Sequence, residues 1–242
     1  MRVSRIYVNA SLETGAHVRL TGSAGAHLTR VLRLRPGAAL TLFNGAGGEY
    51  AGTLESAGAD GAVIAVGAQA RIERESPLPV TLAQGIARGE RMDLVVQKAT
   101  ELGVHALVPV TAARSVVRLE GVQLERRVAH WRAIAIGACE QSGRNRLPEV
   151  RAPVSVAALA RTTTAPTRLM LSPHSSVRLA DLPHPAGEVL LLVGPEGGLA
   201  EEEQAQALAH GFVAARLGPR VLRTETAALV ALALLQRQFG DL

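Results

Sequence analysis

The stretch from residue 189 to residue 239 constrains the fold more than any other. It opens on an apolar run, Val189-Leu190-Leu191-Leu192-Val193, that stops at Gly194-Pro195-Glu196-Gly197-Gly198. An acidic first helical turn follows, Glu201-Glu202-Glu203. A second glycine-proline corner, Leu217-Gly218-Pro219, leads through Arg220-Val221-Leu222-Arg223-Thr224-Glu225-Thr226 into an alanine- and leucine-rich helix that ends near Phe239. Strand, corner, helix, strand, corner, helix is the alternation of an open α/β sheet, in which ligands lie at the carboxyl ends of the strands. Two such junctions this close in sequence predict one ligand pocket built from both corners.

The region upstream reads in two parts. Residues 5–74 hold short strand candidates at 6–8, 17–20, 39–43, 50–56 and 62–68. Asn44-Gly45-Ala46-Gly47-Gly48 and Asp60-Gly61 are hairpin turns by composition, because Asn and Gly tolerate positive φ. Strands at this spacing predict a small β-barrel. His27-Leu28-Thr29-Arg30-Val31-Leu32-Arg33-Leu34-Arg35 reads as a helix that carries Leu28, Val31 and Leu32 on one face and aligns Arg30 with Arg33. It is either a solvated basic helix or the basic edge of an RNA platform. The two prolines of Glu73-Arg74-Glu75-Ser76-Pro77-Leu78-Pro79 stop regular structure, which divides the chain into domains 1–75 and 76–242. Beyond that break, strands at 80–87, 106–110, 167–171, 189–193 and 213–217 alternate with helices at 91–102, 124–139 and 225–239, the pattern of a mainly parallel sheet.

Composition removes several function classes. The 48% hydrophobic fraction supports a core and argues against disorder. No apolar run reaches the roughly 18 residues that span a bilayer. Met1-Arg2-Val3-Ser4-Arg5 leads into no signal segment, so a cytoplasmic location without a membrane partner is the expectation. Cys139 is the only cysteine, which excludes an intrachain disulfide and a cysteine zinc cluster; such a residue is usually a small buried hydrophobe. Histidines 17, 27, 105, 130, 174, 184 and 210 show no ligand spacing, and no metal is expected. The net charge of +5 is carried almost wholly by arginine, with Lys98 the only lysine. Arginine's planar fork suits phosphate, but an excess of this size fits an ordinary arginine-rich protein equally well.

The motifs themselves discriminate further. Gly194-Pro195-Glu196-Gly197-Gly198 lacks the Lys-Ser/Thr of a P-loop and does not fit G-x-G-x-x-G. A loop this dense in glycine lets main-chain groups approach a ligand and hold a flat base. Glu201, Glu202 and Glu203 suit a helix N-terminus, where acids are favourable. Thr224 or Thr226 is expected to cap the last helix, with Glu225 in its first turn. Capping leaves Arg220 and Arg223 unexplained, since cations are unfavourable in front of a helix N-terminus. An anionic or carbonyl-bearing group nearby would account for them.

Val193–Gly198 and 217–227 resemble the two signature motifs of the ribosomal RNA small subunit methyltransferase E family, within the SPOUT methyltransferases. The similarity extends to Arg5-Ile6-Tyr7, Val31-Leu32-Arg33, Gln97-Lys98-Ala99-Thr100-Glu101-Leu102-Gly103 and Ala138-Cys139-Glu140-Gln141-Ser142-Gly143-Arg144-Asn145-Arg146. Ser172-Pro173-His174 departs from the His-Pro order of some members. The resemblance implies a PUA-like N-terminal β-barrel followed by an α/β domain with a deep trefoil knot. It also implies methylation of N3 of a specific uridine in 16S ribosomal RNA, with S-adenosylmethionine as donor. Members act as homodimers through the knotted domains, on the small ribosomal subunit.

On this resemblance, three loops hold the cofactor: Leu171, Ser172 and Pro173; Val193, Gly194, Pro195, Glu196, Gly197 and Gly198; Leu217, Gly218, Val221, Leu222 and Arg223. Leu217 and Leu222 would sandwich the adenine. Arg223 and Glu225 are the first catalytic candidates; Glu140, Arg144 and Asn145 are a second set, reaching across the dimer interface. Arg5, His27, Arg30, Arg33 and Arg35 are the RNA-phosphate candidates. Two other functions fit part of this pattern, a transfer RNA ribose methyltransferase and a non-catalytic RNA-binding or ribosome-assembly protein. The basic N-terminal barrel and the Leu-Arg-Thr-Glu-Thr motif speak against the first; failure to bind S-adenosylmethionine would favour the second.

Overall fold

The computed structural model describes residues 3–22, 25, 28, 34–58, 61–115 and 121–242. The expected basic helix through His27, Arg30 and Arg33 lies outside the described residues. The chain forms two compact units: Met1–Glu75 with Cys139–Leu147, and Ser76–Ala138 with Pro148–Leu242. The break after Glu75 falls at the proline-bearing segment. The return of Cys139–Leu147 to the first unit differs from the simple division at 75/76, because it depends on tertiary partners that local composition does not encode.

The first unit is a five-stranded sheet of β1 (Ser4–Tyr7), β2 (His17–Leu20), β3 (Ala39–Phe43), β4 (Glu49–Gly58) and β5 (Gly61–Ala70), in the order β1-β3-β4-β5-β2. β1 lies parallel to β3, and the other pairs are antiparallel. Every second residue turns inward, so Leu40 and Leu42, Leu54, and Ile64 and Val66 form one core with Ile6 and Leu20. Gly45 and Gly47, at φ 82° and 105°, make the expected turn between β3 and β4. Among the described residues β1 and β2 are the end strands, with no pairing that closes them into the barrel expected above.

A polar network fastens Cys139–Leu147 inside this unit. Arg5 donates to Glu49 at 2.6 Å and to Asn145 Oδ1 at 2.6 Å, and its guanidinium stacks over Phe43. Arg74 donates to Glu49 and to the Gly143 carbonyl. Burial pushes the Glu49 carboxyl up, but hydrogen bonds from Arg5, Arg74 and Asn145 outweigh it and hold it below its ordinary 4.5. A depressed carboxylate stabilises the fold fully above its unfolded pKa, and that share is lost as pH falls through the folded value. We therefore expect wild type and Glu49→Gln to differ most in denaturation midpoint near neutral pH and to converge below pH 4.5. Midpoints measured across pH check this. Burial also pushes the Cys139 thiol up to about 11, which suits the inert role expected of it.

The second unit carries a sheet in the order β12-β10-β11-β6-β7-β8, with β9 also on β7, every pair parallel. Its elements are β6 (Val80–Gly85), α1 (Arg91–Glu101), β7 (Ala106–Thr111), α2 (Gly121–Ser142), β8 (Glu149–Val150), β9 (Val154–Ser155), α3 (Val156–Thr162), β10 (Thr167–Leu171), β11 (Val189–Val193), α4 (Glu201–Ala209), β12 (Val213–Ala215) and α5 (Thr224–Phe239). The last residues of α2 belong to the first unit. β6 and β11 are neighbours and buried along their whole length, which is why neither alternates polar with apolar. Met92, Val95, Val96 and Ala99 of α1 and Ala228, Ala231, Leu232 and Leu235 of α5 share one core with Trp131. Their spacing of three and four is the helical stripe. Among the described residues, no helix is long and apolar enough to cross a membrane.

Candidate active site

Parallel pairing sets β11 and β12 on either side of β10, with Met170 opposite Leu192 and Leu171 opposite Ala215. Their carboxyl ends therefore open side by side, although more than 40 residues of chain separate the first from the last. The loops that leave them enclose a cavity of about 620 Å³. Leu171, Ser172, Pro173, Val193, Gly194, Pro195, Glu196, Gly197, Gly198, Leu217, Gly218, Val221, Leu222 and Arg223 all line it, and so does Glu225. Every residue expected to hold the cofactor thus faces one space, together with the first pair of catalytic candidates.

Backbone seated on backbone makes the glycine loop possible. A Cβ on Gly85, at the end of β6, would clash with the Pro195 nitrogen and lie 2.7 Å from the Gly194 carbonyl carbon. Neither atom can move without moving the loop. Gly85→Ala is expected to destabilise the second unit by about 1–3 kcal/mol through overpacking and to displace the cavity wall. Thermal unfolding alongside ligand titration checks this; an unchanged midpoint with unchanged affinity would show that the loop yields freely.

Thr224 corrects the capping expectation. Arg223 occupies the N-cap of α5, and no side chain caps that helix. The Thr224 hydroxyl instead donates to the Gly194 carbonyl at 2.6 Å and accepts from Gln84 Nε2 at 2.8 Å. Gln84 is fully buried and also donates to the Gly85 carbonyl at 2.9 Å. This chain ties the end of β6, the glycine loop and the start of α5 together. Gln84 gave no signal in sequence, because a glutamine inside an apolar strand is meaningful only once its partner, 140 residues away, is known.

The acids and bases of the wall divide by partner. Burial raises the Glu196 carboxyl, but the Arg88 N–H, its own backbone and Arg91 outweigh this and hold it below the usual carboxylate range. Arg91, not singled out in sequence, donates to Glu196 at 2.8 Å and lies 3.8 Å from Glu225. The second oxygen of Glu225, Oε2, is buried without a hydrogen-bond partner. A buried acceptor left so is costly unless a ligand donates to it. Arg114 and Arg216 also line the cavity and were also missed. Glu203 accepts from the Ala200 N–H at 2.9 Å, one arm of a capping box whose other arm alanine has no acceptor to supply. The helix-terminus reading of this acidic turn accounts for it.

The other candidates fall in the first unit, where bonds internal to that unit hold them. Arg144 is 4% exposed and pairs with Glu75; Asn145 is fully buried, accepts from Arg5 and donates to the Ile72 carbonyl at 2.6 Å. Glu140 accepts the Tyr7 N–H at 2.9 Å. Arg144 and Asn145, expected as catalytic candidates, are engaged by these bonds in the fold of the first unit. Arg5, expected as a phosphate ligand, has a side chain 9% exposed and engaged by Glu49 and Asn145. Arg35 is exposed; His27, Arg30 and Arg33 lie outside the described residues. Among the described residues, no group of His, Cys, Asp or Glu can hold a metal ion.

Residues 74–236 match the RNA methyltransferase domain family and residues 20–66 the RNA methyltransferase PUA domain family. Ribosomal RNA small subunit methyltransferase E of Mycobacterium tuberculosis is 37% identical over 93% of this chain and 88% of its own. The enzyme of that name from Bacillus subtilis is 33% identical over 94% and 92%. A methyltransferase of Legionella pneumophila, solved with bound S-adenosylmethionine, superposes with a TM-score of 0.97 at 41% identity over all of both chains. Ribosomal RNA small subunit methyltransferase E of Neisseria gonorrhoeae, also solved with S-adenosylmethionine, gives 0.91 at 40% identity over 99% of both. With both domain families matched and full-length relatives at this identity, the chain belongs to the ribosomal RNA small subunit methyltransferase E family.

Proposed function

We propose that the protein methylates N3 of a uridine in 16S ribosomal RNA, with S-adenosylmethionine bound in the cavity of the second unit. The convergence of three loops, distant in sequence, on one glycine-rich cavity carries the reading. Its volume lies within the roughly 300–1,000 Å³ of small-molecule sites. Glycine loops offer main-chain donors and acceptors to the adenine, and the half-buried Leu217 and Leu222 offer it apolar walls. When bound, the cofactor supplies an electrophilic methyl group on a sulfonium.

The chain's own task is alignment, since a nucleophile held behind that methyl gains most of the rate from position. Uridine N3 bears a proton and, in a helix, a pairing partner, so the base must be unpaired or flipped to react. Glu225, with its unpartnered Oε2, accepts the N3–H and orients the base. Arg223 faces the charge that spreads onto the uracil carbonyl oxygens as the proton leaves. In keeping with the family, the active form is a cytoplasmic homodimer joined through second units that carry a deep trefoil knot, and the substrate is the small ribosomal subunit.

Mass mapping of 16S ribosomal RNA from cells with and without this protein tests the reading. One uridine is expected to lose a methyl group on N3 when the protein is removed. An unchanged map would sink the proposal, and loss of a ribose methyl would redirect it.

A further inference from the structure

The cavity wall carries more positive charge than the methyl donor can use. Arg91, Arg114, Arg216, Arg220 and Arg223 line it, against the carboxylates of Glu196 and Glu225. Both carboxylates face Arg91. Among the described residues, the other four arginines form no salt bridge. Among the described residues, the Arg114 side chain donates to the Gly197 carbonyl at 3.5 Å. The Nε of Arg216 is buried without a hydrogen-bond partner. Arg220 is exposed, and it precedes the N-terminus of α5, whose dipole opposes a cation there.

Like-charged guanidiniums around one cavity repel one another, and an anionic ligand offsets that repulsion; for Arg216, Asp181 does so in part. S-adenosylmethionine carries one carboxylate against a sulfonium and an ammonium, so it bears a net positive charge and offsets none of the excess of the arginines over the two carboxylates of the wall. The remaining cations need an anion of another kind, and one with several charges. A nucleic-acid backbone supplies such an anion, and guanidinium forks match phosphate oxygens in pairs.

We propose that Arg114 and Arg220 form a phosphate-binding rim on this cavity that grips the backbone of single-stranded RNA next to the nucleotide to be methylated. The inference rests on the methylation reading above and adds to it a phosphate subsite in the second unit, separate from the basic residues of the first. The rim holds the strand while the base enters. It also makes the catalytic cavity itself salt-sensitive.

Binding of a short uridine-containing single-stranded RNA to the full-length protein, titrated at several salt concentrations, tests this. Each arginine that meets a phosphate contributes about 0.7 to the slope of log affinity against log salt. Arg114→Ala/Arg220→Ala is expected to flatten the slope by about 1.4 and Arg220→Ala alone by about 0.7. Arg220→Lys, which keeps the charge, should retain it. Affinity for S-adenosylmethionine, measured by calorimetry, should change less than twofold in Arg220→Ala. A collapse of cofactor affinity with an unchanged RNA slope would assign these arginines to the donor's carboxylate and overturn the rim. An unchanged slope together with unchanged cofactor affinity would overturn it too. Failure of the methylation reading would appear separately, as wild-type protein that transfers no methyl group to 16S ribosomal RNA.

Discussion

Arg223→Ala is expected to lower single-turnover methyl transfer by about 10²–10³-fold, the size seen when one pre-aligned charge stabiliser is removed from an active site. The residue stands at the N-cap of α5 and lines the cavity one residue before the Thr224 that fastens the glycine loop. Its backbone is therefore held by its neighbours, and truncating the side chain leaves the loop tied. That placement separates two effects. If Arg223 acts on developing charge, turnover at saturating S-adenosylmethionine should fall far more than cofactor affinity does. If it serves chiefly as a wall of the cofactor site, affinity should fall and saturated turnover should stay near wild type. Full turnover under all conditions would remove it from the mechanism. Glu225→Gln is expected to lower turnover as well, since an amide oxygen is a far weaker proton acceptor than the carboxylate that Arg91 now faces.

Arg144→Met is expected to give the largest loss of stability, about 3 kcal/mol, because it removes one partner of a buried pair and leaves Glu75 uncompensated. Arg144 is 4% exposed, whereas Glu75 retains 22% exposure, which places the effect at the lower end for such pairs. The double variant Arg144→Met/Glu75→Gln should recover part of the loss, since it removes the stranded charge. The probes are built in. Tyr7 and Tyr50 lie in the first unit, and Trp131, the only tryptophan, lies in the second. Near-ultraviolet tyrosine signals should thus unfold at lower denaturant in Arg144→Met, with tryptophan fluorescence shifted less. Equal shifts of both would mean that the two units unfold as one. Unchanged midpoints would show that Arg144 contributes little to the fold.

What the sequence determined by itself was local and periodic. The unbroken run Val189–Val193, short and stopped by a glycine-proline corner, read as a buried strand without any knowledge of its partners. The stripe Met92, Val95, Val96, Ala99 announced α1, and Asn44–Gly48 announced the β3–β4 turn, because helix period and positive φ are properties of adjacent residues. The two glycine-proline corners marked the cavity, because strand ends of a parallel sheet all open on one side. What only the tertiary structure decided were the pairings across long separations. Thr224 looked like a cap, and became a link to Gly194 once Gln84 stood behind it. Arg5, Arg144 and Asn145 gave no sign in sequence of their partners; with Cys139–Leu147 in the first unit, Arg5 donates to Asn145 and Arg144 pairs with Glu75. Arg91 drew no notice as the first residue of a helix, and became the cation between two carboxylates of the cavity. A polar side chain has the same composition whether it meets solvent, ligand or another side chain, and only the folded chain determines which of the three it meets.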